Sequence, residues 1–324
     1  MIQLMSDSNL EIRSSFLYEV RRIFYNNSYM EIETPLLNPG GNVEAFIDPI
    51  EVKRTGIKKS PEDKGINRGR YLITSPEYNL KSQFVHSKRN LFQIAHCFRE
   101  GDVGRLHTEE FLMLEWYRRD CTLEGFMEEC RELLFALSNL PFVKNRFLLT
   151  DITVLSVEEL FRKNLNCGLE FDDLCQYGEK QGYLRLQDKS IQPRYDEIFY
   201  IIFLNEIEKH LGNNAPCFIY NYPPELAALS KIENGRARRF EIYWKGVEMA
   251  NGYEELRGRD ENLNRFQKEN QLRLQQNKNT IVFEEQYLEC MDELPQSCGI
   301  ALGLDRLLMV LLNESSIHEI TPFI

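Results

Sequence analysis

Residues 239–252 read RFEIYWKGVEMANG. Lys245-Gly246 is suited to a two-residue turn between two β-prone runs, 239–244 and 247–252. Counting back from that turn, Trp244 faces Val247, Tyr243 faces Glu248 and Glu241 faces Ala250. Side chains alternate along a strand, so Glu241, Tyr243, Glu248 and Ala250 are expected on one face, with Phe240, Ile242 and Trp244 on the other. The second set is apolar and belongs to a core. Outward from this hairpin lie further short strands at 71–74, 91–99, 111–117, 217–220 and 297–302. They are joined largely by hairpins and not by regular β-α-β units. That pattern predicts an antiparallel sheet with helices packed on it, an α+β fold. No GxGxxG or GxxxxGK[ST] string is present.

The remaining segments fit this plan. Residues 10–27 carry an apolar stripe of Leu10, Phe16, Leu17, Val20, Ile23 and Phe24 at helical spacing. A short strand at 29–33 is stopped by Pro35, and 38–69 reads as a long loop holding one strand at most. Ser75-Pro76-Glu77 reads as a helix start, with Ser75 as cap and Pro76 in the first position. Helices are expected at 122–138, 260–276 and 304–312. Between 139 and 215 helix and loop mix without a motif.

Bulk properties exclude some classes. The apolar run at 307–312 is too short to span a bilayer, and residues 1–9 are polar and carry Asp7, unlike a secretory signal. The eight cysteines are scattered, with no C-x-x-C pair, which argues against a disulfide framework or a zinc site and for a cytoplasmic protein. A net charge of −11 argues weakly against a large nucleic-acid footprint.

Three constellations could carry chemistry. Glu241 and Glu248 are diagonal neighbours whose charges repel unless something positive lies between them, such as Mg²⁺ or a substrate ammonium. The alternative is a solvated face with incidental carboxylates. Simple alternation puts Glu255 on the opposite face from Glu248 unless a bulge, for instance at Gly252, re-aims it. Arg99 ends an apolar strand, and the loop 100–110 (EGDVGRLHTEE) returns to Phe111, Met113, Glu115 and Tyr117 on one strand face. So long a loop between paired strands suits phosphate and base binding, or is a plain surface hairpin. Arg306, in GIALGLDR, falls in the first turn of a helix, where the macrodipole disfavours a cation. It meets either an anion such as phosphate or a nearby carboxylate.

Together these pieces resemble the signature motifs of class II aminoacyl-tRNA synthetases. Tyr29-Met-Glu-Ile-Glu-Thr-Pro35 is similar to motif 1, whose proline lies at the dimer interface of that class. Phe98-Arg99 through Phe111-Leu-Met-Leu-Glu-Trp-Tyr117 is similar to motif 2, and Gly303-Leu-Asp-Arg306 to motif 3. Thr74-Ser-Pro-Glu-Tyr78, Phe240-Glu-Ile-Tyr243 and Glu248-Met-Ala-Asn-Gly-Tyr-Glu-Glu-Leu256 resemble the lysyl branch in order and spacing. Motif 1 begins near residue 28, leaving room before it for one helix and not for an anticodon-binding domain. The chain thus resembles the truncated lysyl-tRNA synthetase paralogues that attach β-lysine to elongation factor P.

The resemblance implies a single class II catalytic domain over 1–324, a helical and irregular insertion around 120–215, and a homodimer formed through motif 1. It implies that ATP and a lysine or β-lysine react to an aminoacyl-adenylate, then transfer to a lysine of elongation factor P. No stable tRNA binding and no membrane association are implied. Arg99 would hold the α-phosphate and the substrate carboxylate, Arg306 the γ-phosphate, His107 and Phe111 the adenine, and Glu241 and Glu248 Mg²⁺. Glu77 would hold the amino group near the reacting carboxyl, Glu255 with Tyr117 the distal ammonium, and Asn251 would line the pocket. Ala301 stands where lysyl-tRNA synthetases have glycine and would crowd the α-amino position, favouring β-lysine. Two departures stand out. The usual Arg-x-Glu of motif 2 is Arg99-Glu100-Gly101, so Glu100 or Asp102 is expected to take over its nucleotide contact, and the usual Asn-Pro is Thr108-Glu109. Other readings are an adenylate synthetase with tRNA or a small molecule as acceptor, and an inactive regulatory paralogue.

Overall fold

The computed structural model describes residues 6–53, 70–184 and 193–321. Of the loop expected at 38–69, residues 54–69 lie outside the described residues, as do 1–5 of the polar start and 185–192 of the expected insertion. In chain order the elements are α1 (Asp7–Asn26), β1 (Met30–Glu31), β2 (Leu37–Asn38), β3 (Glu51–Val52), β4 (Arg70–Leu72), α2 (Glu77–Ser87), β5 (Leu91–Phe98), β6 (Glu110–Arg119), α3 (Leu123–Ser138), β7 (Thr153–Ser156), α4 (Val157–Leu165), α5 (Phe171–Gln181) and α6 (Tyr195–Ile202). There follow β8 (Cys217–Tyr222), β9 (Ile232–Glu233), β10 (Arg236–Trp244), β11 (Val247–Glu254), α7 (Arg259–Gln275), α8 (Glu285–Cys290), β12 (Ser297–Gly303) and α9 (Leu304–Leu311). The chain divides into unit 1 (Met1–Asp120, Leu256–Met309, Glu314–Ile324) and unit 2 (Cys121–Glu255, Val310–Asn313). Among the described residues no helix is long and apolar enough to cross a membrane.

Unit 1 is built on β5, β6 and β12, antiparallel neighbours in that order, with β1 added parallel to β5. Phe92 of β5 and its partner Trp116 of β6 are buried against α1: Phe24 stacks on Phe92 at 4.6 Å and meets Trp116 edge-on at 5.2 Å. The predicted stripe of α1 is borne out at Phe16, Val20 and Phe24, which are buried, while Leu10 is exposed. The odd positions, Phe111, Met113, Glu115 and Tyr117, point to the other face, as strand alternation requires. On β12 their cross-strand partners are small: Gly299 opposite Tyr117, Ala301 opposite Glu115, Gly303 opposite Met113. That combination sets large side chains of β6 beside small ones of β12 along the floor of this face. A separate small sheet, β2-β4-β3, frames the long loop: β2 stands at its start, β3 within it and β4 just after it.

The start of α2 differs from expectation by one residue. The helix begins at Glu77, with Pro76 in the cap position. Ser75 still accepts the Glu77 amide at 3.0 Å, so its hydroxyl does the capping from one position further out.

Unit 2 pairs β11 with β10, β10 with β8 (both antiparallel) and β8 with β7 (parallel), with β9 added to β10. Helices α4, α5 and α6 bury Phe161, Leu174 and Phe199 in the core they share with β8. This region, which showed no motif, holds one legible signal. Ser156-Val-Glu-Glu159 is a capping box: Ser156 accepts the Glu159 amide, and Glu159 accepts the Ser156 amide at 2.8 Å.

Candidate active site

In unit 1, β5 delivers Arg99 at the mouth of the motif 2 loop. Its amide bonds the Glu109 carbonyl at 2.9 Å, and its guanidinium lies over the Phe111 ring, 5.0 Å from the centroid. Arg99 Nε is buried without a hydrogen-bond partner in the protein. A cation held flat by an aromatic ring with a donor left over is prepared for an anion. The loop beyond is anchored at several points. Arg105 donates to the Ser315 carbonyl at 2.8 Å, and the Ile317 amide returns to the Arg105 carbonyl. Gly104 and His107 bridge to each other. Arg306 reaches this loop from α9, donating to the Leu106 carbonyl at 3.3 Å and to His107 Nε2. His107 therefore accepts and is neutral; burial first and the Arg306 charge second hold its pKa below the ordinary value. Arg306, His107, Phe111 and Arg99 thus come together.

The motif 2 departure has a backbone basis. Gly101 has φ +79°, a conformation costly for a glutamate, and its amide donates to Glu109 Oε1 at 2.9 Å. Glu109, one of the two residues that replace Asn-Pro, therefore shapes the turn.

On the floor of the same unit the residues expected to bind an amino acid are joined by others that sequence reasoning left out. Tyr117 donates to Glu115 Oε1 at 2.6 Å and Ser75 to Glu115 Oε2 at 3.0 Å. Glu115 is buried; loss of hydration first, and the Glu77 charge second, push it up to about 8. Lys81 bonds Glu77 Oε1 at 2.6 Å. Glu44, on the segment before β3, accepts from Thr74 at 3.4 Å. Burial raises it to about 7 against the opposing pull of Arg99, with Glu77 adding to the rise. Ala301 is the cross-strand partner of Glu115, so their Cβ atoms are neighbours on one face. Two of the missed residues left a signal. Glu115 shares the period-2 face of Phe111 and Tyr117, and Lys81 follows Glu77 by one helical turn. Glu44 left none, because its place depends on long-range anchors: Asn42 to the Ser75 carbonyl, the Val43 amide to the Tyr78 hydroxyl, and the Ala45 amide to Glu269.

In unit 2 the hairpin turn forms as read, with Lys245 and Gly246 both left-handed, Trp244 opposite Val247 and Tyr243 opposite Glu248. The expected pairing of Glu241 with Ala250 does not form. The register shifts between Ile242 and Tyr243, so that Ala250 faces Ile242 and Asn251 faces Glu241. The extra residue is Met249. Its bulge inverts the alternation beyond it, so Asn251 and Tyr253 share the face of Glu241, Tyr243 and Glu248. The bulge falls at Met249 and not at Gly252, and Glu255 follows the end of β11, where it bridges to Ser230.

The positive group demanded by these carboxylates is part of the chain. Arg239 bonds Glu241 Oε1, the Leu226 carbonyl at 2.7 Å and Asn251 Oδ1 at 3.1 Å, and lies 4.7 Å from the Tyr222 ring centroid. Tyr222 and Tyr243 donate to Glu241 Oε2. Both Glu241 oxygens are thus engaged, yet a carboxylate offers about four acceptor positions. Glu248 is half-buried on the same face. Among the described residues no group of three or more His, Cys, Asp or Glu could hold a metal by itself. Two carboxylates with an asparagine suit the other mode, in which Mg²⁺ is completed by substrate phosphates and water.

Comparison with known proteins gives a consistent picture. The family model described as class II tRNA synthetases (D, K and N) matches residues 2–324. A protein of Aquifex aeolicus named elongation factor P–(R)-β-lysine ligase homolog is 34% identical over 304 residues, 93% of this chain and 94% of its own. The elongation factor P–(R)-β-lysine ligase of Baumannia cicadellinicola is 34% identical over 324 residues, covering 97% and 94%. That of Pectobacterium carotovorum is 31% identical over 323 residues, covering 98% and 95%.

Proposed function

We propose that this chain, which belongs to the class II tRNA synthetase family (D, K and N), is an ATP-dependent ligase that activates a lysine-type amino acid and transfers it to a lysine side chain of elongation factor P. The observation that carries the reading is the β6 face of unit 1. There an Arg99 guanidinium stacked on Phe111 stands at one end, and a buried network of Glu115, Tyr117 and Ser75 at the other. One end suits a phosphate and a carboxylate, the other a substrate ammonium.

The first step is attack of a substrate carboxylate oxygen on the α-phosphorus of ATP, breaking the bond to the β-phosphate oxygen and releasing pyrophosphate. Arg99 binds the α-phosphate and the carboxylate, Arg306 the γ-phosphate, and His107 and Phe111 the adenine. Glu77 takes the amino group nearest the reacting carboxyl. Tyr117, in unit 1, takes the distal ammonium; Glu255 and Asn251, in unit 2, keep the substrate-binding roles that the family resemblance implies for them. Glu241 and Glu248 would hold Mg²⁺, which would supply charge neutralisation at the phosphates. In the second step the neutral acceptor amine attacks the acyl carbon, AMP leaves, and the amine proton passes to solvent. Ala301 narrows the space beside Glu115 and favours β-lysine over α-lysine. The enzyme works in the cytoplasm as a homodimer formed through residues 29–35, acts as one catalytic domain, and does not hold tRNA stably.

The test is ATP–pyrophosphate exchange with each lysine isomer, followed by transfer of labelled amino acid to elongation factor P or to tRNA offered separately. Exchange with a lysine isomer and labelling of elongation factor P are expected. Charging of tRNA with elongation factor P left unmodified would make this an adenylate synthetase with a different acceptor, and no exchange at all would make it a binding paralogue.

A further inference from the structure

Lys81 is 1% exposed, although an ammonium is seldom buried so deeply unless it is paired for a purpose. It lies one turn after Glu77 on α2, between Leu80 and the buried pair Phe84 and Val85. A methionine or leucine would fill the same slot without the cost of dehydrating a charge. The ammonium is instead aimed at two residues of the proposed pocket. Its Nζ is 2.6 Å from Glu77 Oε1 and 5.6 Å from the centroid of the Tyr117 ring. Tyr117 in turn donates to Glu115.

We propose that Lys81 is a positioning residue for the amino-acid pocket: its ion pair fixes the Glu77 carboxylate in the orientation from which it receives the substrate's amino group. The inference rests on the reading of Glu77 and Tyr117 given above. A glutamate side chain in water samples several rotamers, and a substrate that must first order it binds less tightly. Here one oxygen is tethered along the helix, leaving the other to the substrate. The charge of Lys81 matters as well as its reach. The groups around Glu77 are Glu44 from the segment before β3, Tyr78 from α2 itself, and Glu115 and Tyr117 from β6, with Arg99 at the end of β5. Two of these are carboxyl groups, and the Lys81 ammonium is the cation paired with Glu77 among them.

The experiment compares the full-length wild type with Lys81→Met and Lys81→Arg in ATP–pyrophosphate exchange, measuring KM for the amino acid and for ATP, together with the melting temperature. In Lys81→Met the amino-acid KM is expected to rise by at least about 30-fold, the low end for truncating one partner of a buried charge pair. The ATP KM stays where it is. Lys81→Arg, which keeps the charge, recovers part of the loss. A residue that merely supports the fold would lower the melting temperature and move neither KM. A folded Lys81→Met with wild-type amino-acid KM overturns the proposal, and so does failure of both variants to fold, which would make the pair a folding element. Wild type without exchange on any lysine isomer instead overturns the pocket reading itself, and this inference with it.

Discussion

Arg239→Met removes the cation on which the unit 2 cluster is organised, and the structure sets the size of the effect. Arg239 and Glu241 are 7% and 3% exposed, so the pair is shielded from solvent. Without the guanidinium, Glu241 keeps only the hydroxyls of Tyr222 and Tyr243, and the Leu226 carbonyl and Asn251 lose their donor. Breaking a buried pair from one side costs about 3–5 kcal/mol, because the other charge stays buried. For 324 residues melting together, an unfolding entropy of roughly 2.1 cal/mol/K per residue converts this into a fall in Tm of about 4–7 °C. Replacing both partners, in Arg239→Met/Glu241→Gln, removes the stranded charge and should return at least about 2 kcal/mol of the loss. Calorimetry and urea unfolding of the two single variants and the double variant give the coupling directly. Pyrophosphate exchange should fall in all three, since Glu241 and Asn251 both lose their alignment. An Arg239→Met protein within about 1 kcal/mol of wild type, or single-variant losses that simply add in the double variant, would refute the view that the cluster is a unit.

Other perturbations give equally definite outcomes. Arg306→Ala should slow exchange by about 10²–10³-fold, as loss of one preorganised charge contact at a phosphate does, and near-normal exchange would remove Arg306 from the phosphate site. Ala301→Gly should relax the preference between β-lysine and α-lysine, read from the ratio of their kcat/KM values; an unchanged ratio would show that the methyl opposite Glu115 does not shape the pocket. Glu115 titrates near 8 in the fold against an ordinary 4.5, so the folded chain keeps a proton that the unfolded chain releases. The stability this contributes is whole below pH 4.5 and is lost as the pH rises to about 8, at about 1.4 kcal/mol per pH unit for one proton. Glu115→Gln should flatten urea-unfolding stability across that window by this slope, and parallel pH curves for the two proteins would contradict the assignment.

Much of the frame was legible because it follows from local rules. Lys245-Gly246 specified the hairpin turn, alternation specified the odd-numbered face of β6, and helical spacing specified the buried stripe of α1. What failed was the register beyond Met249. A bulge at an ordinary apolar residue has no compositional mark, and one inserted residue inverts every later side chain. That single event brought Asn251 opposite Glu241. The Arg239–Glu241 pair was visible in principle, as opposite charges two apart on one strand, but its burial was not. Glu44 could not be found at all. It sits 33 residues before Glu77, and its place is set by hydrogen bonds to the residues around the start of α2 and to α7.

The arrangement of charge in unit 1 explains why these residues resist local reading. Glu44, Glu77 and Glu115 influence one another while buried or half-buried, with Arg99 and Lys81 beside them. Gathering carboxylates in this way raises the energy of the folded chain, since each loses hydration and feels the others. A sequence selected for stability alone would place leucine or glutamine at such positions. Carboxylates that keep their protons until a cation arrives form a site that gains most from a ligand bringing its own positive charges. A diammonium amino acid supplies two, one at each end of its side chain. Its binding should expel the proton held at Glu115. Calorimetric titrations of the amino acid in buffers of different ionisation enthalpy, near pH 7, measure that release directly. A binding enthalpy independent of buffer would show that the carboxyl keeps its proton and that the ammonium is held without it.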